Sequence, residues 1–269
     1  MSGNGSYLLG HSGHELQRLS VQASIVQPIT RRLLQAAGVG SGMRVLDVGS
    51  GAGDVALLAA EMVGDRGSVV GLESSEIAVA LATERAADAG FSNVQFHCVR
   101  AEDYDDRRPF DVVVGRYVLL FQPDPVAFLR SLKSKMARGS VIAFHEIDDA
   151  TDFTAKPDVY RLTEINARVF ENFRASLPHH DVASRLYAAF RQAGLPGPQL
   201  TCERLAVGGV PNPMAHWLAL TYFTMFGARD LGRSTDGVAQ LTRDLEGEIA
   251  SQDSQVASPE QWCAWAKLA

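Results

Sequence analysis

Apolar and polar positions along this chain follow two periods, and the switches between them predict its elements. Between residues 14 and 38, Leu16, Leu19, Val21, Ile25, Ile29, Leu33 and Leu34 recur at helical spacing. Pro28 interrupts the run, so two helices or one kinked helix are expected there. From residue 43 compact apolar segments alternate with helical ones. Residues 43–48, 68–72, 94–99, 110–115 and 141–147 read as strands, and 54–63, 75–89 and 125–136 as helices. Strands alternating with helices of this length imply an α/β fold, a parallel sheet with helices on both faces. Right-handed crossovers then bring the strand C-termini to one edge, where ligands bind in such sheets.

After residue 148 the pattern changes. Helices are expected at 156–177, 182–193, 213–226 and 238–250, and strands at 200–207 and 261–265. The organisation this predicts is a helical arm or lid over 1–40, a ligand-binding core over 41–150 and inserted lid helices over 151–181. The rest of the core follows over 182–269, with a helical insertion at about 211–252. Both insertions are expected to cover the ligand-binding edge.

Composition narrows the function classes. Of 269 residues, 46% are apolar and 21% charged, as in a globular enzyme with a real core. The net charge is −6, and the basic runs (Arg31-Arg32, Arg107-Arg108, Lys133 with Lys135) are short, so no nucleic-acid footprint is present. No apolar stretch is long enough to span a bilayer, and the first residues lack a signal-peptide pattern. A cytoplasmic protein without a membrane partner is expected. Cys98, Cys202 and Cys263 are widely separated, which predicts neither a metal site nor a disulfide framework, and each is expected as a small buried hydrophobe.

The chemistry concentrates at residues 45–54, VLDVGSGAGD. A nucleotide-like ligand needs close backbone approach at a strand-to-helix turn, which Gly49, Gly51 and Gly53 allow. A dinucleotide fingerprint would place its third glycine at 54, where this chain has Asp54. Asp47, two residues before the first glycine, directs a carboxylate toward the loop, suited to a cationic amino group and not to a pyrophosphate. Glu73 ends the next strand, and its two acceptor oxygens suit a ribose diol.

These residues carry a resemblance to class I S-adenosylmethionine (SAM)-dependent methyltransferases, of the ubiquinone/menaquinone-biosynthesis type with its natural-product tailoring relatives. The match is most specific over residues 43–73 and continues at 109–116, PFDVVVGR. Tyr7 to Gly10, with Glu15, Arg18, Leu19 and Gln22, resemble an N-terminal lid seen in a subset. The resemblance implies a Rossmann-like, seven-stranded, mostly parallel sheet with a helical lid. It implies SAM as cofactor, S-adenosylhomocysteine as its product, and Gly49, Gly51 and Gly53 lining the methionine and ribose. It implies Glu73 on the ribose, Ser74 at the adenine edge, Ala101 and Glu102 flanking the adenine, Arg116 near the methionine end or the substrate, and Arg18 on the cofactor carboxylate. Many relatives have an acid where Arg100 stands, so Glu102 or Asp103 is expected to replace it. Arg138-Gly139-Ser140 stands for the family's Pro-Gly-Gly.

Methyl transfer needs a base only when the acceptor must lose a proton. His145 and Glu146 end a strand and point to opposite faces, and His145 is the expected base, with Glu146 as the other catalytic residue. His11, His14, His179 and His180 are further histidines of the arm and insertion. Phe153, Tyr160, Phe170, Phe173, Trp217, Tyr222, Phe223 and Phe226 fall in the insertions, where most are expected to pack helices and some to line an apolar pocket. A small hydrophobic or aromatic acceptor follows by analogy of fold, with O- or C-methylation and a possible homodimer. A nucleotide-dependent oxidoreductase, a SAM-binding protein that does not methylate and a macromolecule methyltransferase stay open as alternatives.

Overall fold

The computed structural model describes residues 13–148, 151–230 and 235–269, with the side chains of 13–17, 228–230 and 235–236 outside that description. Tyr7 to Gly10 and His11 lie outside the described residues, as do the side chains of His14 and Glu15. The chain divides into two compact units. The larger comprises Gln27–Asp148, Asp181–Glu203 and Gln261–Ala269, and the smaller Met1–Val26, Asp149–His180 and Arg204–Glu260.

In the larger unit strands and helices alternate as the apolar pattern requires. They are β1 (Arg44–Val48), α2 (Asp54–Val63), β2 (Ser68–Glu73), α3 (Glu76–Asp88), β3 (Val94–Cys98), β4 (Phe110–Arg116), α4 (Pro125–Leu132) and β5 (Met136–Ile147). They are preceded by α1 (Gly13–Ala36), whose residues from Gln27 onward belong here. Helix starts are marked in the sequence. Ser75 caps α3 by accepting from the Ala78 N–H, and Asp124 caps α4 by accepting from the Ala127 N–H, with Pro125 in the first turn. The central strands are mostly apolar, as expected where helices cover both faces: Val45, Leu46, Val48, Val113 and Val114 are fully buried.

Strand order is β3-β2-β1-β4-β5, continued by β10 (Gln261–Lys267) and β7 (Gln199–Glu203). All pairings are parallel except those of β10, which runs antiparallel to both β5 and β7. The seven-stranded, mostly parallel sheet is as expected. The order reverses between β1 and β4, which opens a crevice at their C-terminal ends.

The smaller unit holds α5 (Tyr160–Ser176), α7 (Pro213–Asp230) and α8 (Thr235–Ser251) with a three-stranded antiparallel sheet. That sheet is β6 (Thr154–Lys156), β9 (Gln255–Ala257) and β8 (Ala206–Gly208), in the order β6-β9-β8. Its core gathers Phe153, Phe170, Trp217, Leu218, Leu245 and Val256 among others, with Phe153 set edge-on to Trp217 at 5.1 Å.

At Pro28, where two helices or one kinked helix were expected, the chain runs through as the single helix α1. Three expectations are corrected. The single strand expected at 200–207 is two strands in different sheets. Between them the Arg204 guanidinium donates to the carbonyls of Ser258 and Asp152, and the Leu205 N–H donates to the Ser258 hydroxyl. The helix expected over 125–136 ends at Leu132, and β5 starts at Met136. Cys98 and Cys202 are exposed, and only Cys263 behaves as a buried hydrophobe, burial pushing its thiol up to about 12. No helix among the described residues is long and apolar enough to cross a membrane.

Candidate active site

The bend between β1 and α2 is held from two sides. From β2, the Leu72 carbonyl accepts from the Ser50 N–H at 2.9 Å, and Glu73 Oε2 accepts from the Gly51 N–H at 3.0 Å. Glu73 Oε1 is occupied by the Ser74 N–H at 2.7 Å, the Ser74 hydroxyl at 3.1 Å and the Ser75 N–H at 3.0 Å. From α3, the Arg85 guanidinium donates to the Ala52 carbonyl at 2.5 Å and to Asp54 Oδ1 at 2.8 Å.

The three glycines have left-handed backbones but different neighbours. A Cβ on Gly49 would sit 2.7 Å from Val118 Cγ2, and one on Gly53 2.9 Å from Phe96 Cζ and 3.1 Å from Ala82 Cβ. These two positions let the bend pack against the protein. A Cβ on Gly51 (φ 52°) would meet nothing within 4 Å, so of the three it is Gly51 that faces open space.

Beneath the bend lies Asp47, 1% exposed, with neither carboxylate oxygen in a hydrogen bond. Burial pushes its carboxyl up to about 8. The Arg116 guanidinium and the nearby Ala56 N–H, which closes no hydrogen bond of normal geometry, offset part of this, whereas Asp54 and Glu73 add to it. The Ser50 hydroxyl is likewise buried without a partner. Partnerless buried polar atoms cost free energy and call for an explanation beyond the packing of the fold.

Arg116, at the tip of β4, lies 3.9 Å from Asp54 Oδ2 and donates to the Thr30 hydroxyl at 3.3 Å. His145 is fully buried. Its Nδ1 is 3.0 Å from Thr30 Oγ1 and its Nε2 3.1 Å from Gln261 Oε1, which the Tyr117 hydroxyl also reaches. Burial, helped by Arg116, lowers His145 to about 3. Glu146 is also fully buried: Oε1 accepts from the Val118 and Leu119 N–H groups at 3.0 and 2.9 Å, and Oε2 has no partner. Burial raises it to about 8 against the pull of those amides.

Asp47, Gly49, Gly51, Gly53, Glu73, Ser74, Arg116, His145 and Glu146 thus all lie on the C-terminal edge of β1, β2, β4 and β5 or on the bend beside it. Ala101 is buried just after β3, and Glu102 is exposed and paired with Arg100 at 3.3 Å. Arg18 is buried in the smaller unit, where it donates to Gln22 Oε1 at 2.6 Å. His179 and His180 are half-buried in the turn after α5. Phe153, Phe170, Trp217, Tyr222 and Phe223 are buried in the smaller unit's core, Phe173 and Phe226 pack against it, and Tyr160 is exposed.

Sequence reasoning missed Thr30, Arg85, Tyr117 and Gln261. Tyr117 alone left a trace, as the residue directly after Arg116 at a strand tip. A cleft of about 600 Å³ lies at the opposite edge of the sheet, lined by Met43, Phe110, Ser140, Trp265 and Lys267 among others, and holds none of these site residues. Among the described residues no three His, Cys, Asp or Glu side chains converge as a metal site.

Comparison with known proteins adds the following. A family described as a methyltransferase domain matches residues 40–194. The chain is 34% identical over 134 residues to an aklanonic acid methyltransferase, DauC, of a Streptomyces strain, covering 49% of this chain and 60% of that one. It is 32% identical over 111 residues to a ubiquinone biosynthesis O-methyltransferase of Neisseria meningitidis, covering 40% and 45%. The chain therefore spans less than two thirds of these curated relatives. Among solved structures, the (4+2)-cyclase SpnF overlays with a TM-score of 0.52 at 20% identity, over 90% of this chain and 82% of that one. At that identity the likeness is one of fold.

Proposed function

The chain belongs to the class I, SAM-dependent methyltransferases, and from that premise we propose that it transfers a methyl group from SAM to oxygen or carbon of a small hydrophobic or aromatic metabolite. The observation that carries the reading is the partnerless, fully buried Asp47 carboxylate under the bend at Gly51, with Glu73 across from it. A ligand with an ammonium group at one end and a ribose diol at the other suits both acids at once.

In this proposal Asp47 takes the ammonium and the Gly51 backbone lies along the methionyl chain, with Gly49 and Gly53 keeping the bend packed. Glu73 accepts from the ribose hydroxyls, and Ser74, Ala101 and Glu102 border the adenine. Arg116 faces the methionyl end, and Arg18 retains its assignment to the carboxylate as a proposal, since a guanidinium fork suits that group. The bound cofactor supplies a methyl group already activated on a sulfonium. The chain's own contribution is then to orient the acceptor and exclude water, which together supply up to roughly 7–11 kcal/mol.

The expectation that His145 is the base is revised. With both ring nitrogens engaged inside the protein and no exposure, it has no lone pair directed at an acceptor. Glu146 holds the turn after β4 through its Oε1 and is assigned the same supporting role. The names of the relatives, one for an acid from a Streptomyces strain and one for ubiquinone biosynthesis, support a small-molecule acceptor.

Calorimetric titration with SAM, followed by incubation with a panel of aromatic acids and quinone-like phenols and detection of S-adenosylhomocysteine, tests the reading. Binding is expected in the wild type and loss of at least tenfold in affinity in Glu73→Ala. A wild type that does not bind SAM would overturn the cofactor site. Binding with no S-adenosylhomocysteine across the panel would leave the site and remove small-molecule methyl transfer.

A further inference from the structure

We propose that His145 is a positioning residue: through Thr30 on one side and Gln261 on the other, it joins the guanidinium of Arg116 to the phenol of Tyr117. The observation is a run of five side chains, from α1, β4 and the residue after it, β5 and β10, each within hydrogen-bond distance of the next. A hydrogen-bond direction can be assigned at each link. Arg116 has only donors, so its Nη1–H gives to Thr30 Oγ1. Gln261 Oε1 can only accept, so the neutral ring carries its hydrogen on Nε2 and gives it to that oxygen. Nδ1 is then left as an acceptor, facing the Thr30 hydroxyl at 3.0 Å. The Tyr117 hydroxyl gives to that same oxygen. Every link carries one hydrogen, and a neutral Nε2–H imidazole is the form that satisfies all of them.

The two ends of the run lie side by side on the chain but do different work. Arg116 faces Asp54, where the glycine bend passes into α2. Tyr117 is a non-glycine residue with a left-handed backbone, φ 55°. Such a conformation persists where its surroundings over-determine it. Here the Tyr117 N–H donates to the His145 carbonyl at 2.8 Å, its ring meets the His145 ring edge-on at 5.4 Å, and its hydroxyl is held by Gln261. The imidazole therefore fixes both residues at the tip of β4: the guanidinium toward the cofactor's methionyl end, and the phenol, half-buried, beside it. The part that concerns the cofactor rests on the SAM reading given above, whereas the imidazole's form does not.

Nitrogen-15 NMR of labelled imidazoles, recorded without ligand from about pH 5 to about pH 8, reads that form. The wild-type His145 signal is expected as a neutral Nε2–H tautomer throughout. An Nδ1–H tautomer, or an imidazolium in this range, would overturn the proposal. Thr30→Val keeps the volume and removes the hydroxyl, so it is expected to raise the Nδ1–H fraction and weaken SAM binding about tenfold. Thr30→Ser is expected to restore both, which a merely space-filling role for Thr30 would not require. A Thr30→Val protein with wild-type tautomer and affinity, or a Thr30→Ser protein no better than Thr30→Val, overturns the relay. Should Thr30→Val fail to fold, Tyr117→Phe at the half-buried end replaces it, with a displaced Nε2 resonance expected and an unmoved one counting against the proposal. If the wild type does not bind SAM, the cofactor reading falls while the imidazole signal still decides the relay.

Discussion

Acidification between about pH 7 and pH 6 tests the proposed pairing of Asp47 with the cofactor's ammonium group. With its carboxyl pushed up to about 8 by burial, Asp47 is ionised in only about a tenth of molecules at pH 7 and about a hundredth at pH 6. A cationic ligand binds the ionised form, so the proton must leave first. Each pH unit in this window therefore costs about 1.4 kcal/mol, or about tenfold in affinity. Binding at pH 7 should release close to one proton, because a nearby ammonium returns the carboxyl to its ordinary range. Above about pH 7.7 the α-amino group itself loses charge, so the lower window isolates Asp47. Calorimetry in two buffers of different ionisation enthalpy counts the released protons. Asp47→Asn should lose both the release and the slope, and bind weakly at every pH. Glu146 is pushed up to about 8 as well, but Glu146→Gln should keep the wild-type slope. A flat affinity profile in the wild type, no proton release, or a slope that survives in Asp47→Asn would refute the reasoning.

Other substitutions separate the parts of the site. Gly51→Ala puts a Cβ into open space on a left-handed backbone, so urea unfolding should show a loss of only about 1 kcal/mol while SAM binding is abolished. Gly53→Ala adds a collision with Phe96 and Ala82 and should cost about 3 kcal/mol in the same assay. Arg85→Met keeps the aliphatic stem and releases Ala52 and Asp54, so cofactor affinity should fall about tenfold with a small change in melting temperature. A carboxyl whose folded value is raised, as for Glu146, lends stability that is full below its unfolded value near 4.5 and is lost as pH rises through about 8. Glu146→Gln should therefore melt close to wild type at about pH 4 and increasingly above it as pH rises to about pH 9, by calorimetry.

The strand–bend–helix at 43–63 and the acid at 73 were legible because each rests on local rules: apolar runs for buried strands, glycine where the backbone turns left-handed, an acid at a strand end. Their separation along the chain already implied one crossover unit. Thr30 and His145 are 115 positions apart and Tyr117 and Gln261 are 144 apart, and no periodicity connects such pairs. For the same reason His145 looked like a base. Its position at a strand tip was readable, whereas the partners that engage both its nitrogens came from α1 and β10. The small sheet escaped notice because β6, β8 and β9 are three residues each, too short for alternation to show. The stretch 200–207 is apolar enough to read as one strand, and only the carbonyls offered to Arg204 by distant segments reveal the break.

The place of β10 between β5 and β7 has a consequence for assembly. Among the described residues, β7 has no neighbour in the large sheet other than β10, and β5 has none but β10 on that side. During synthesis, the flank of β5 and the whole of β7 must wait, with unsatisfied amides and carbonyls, until residues 261–267 emerge. The insertion of β10 that closes this gap also delivers Gln261 to His145, so the hydrogen-bonded run around His145 is completed in the same event that protects the nascent chain from pairing with its neighbours.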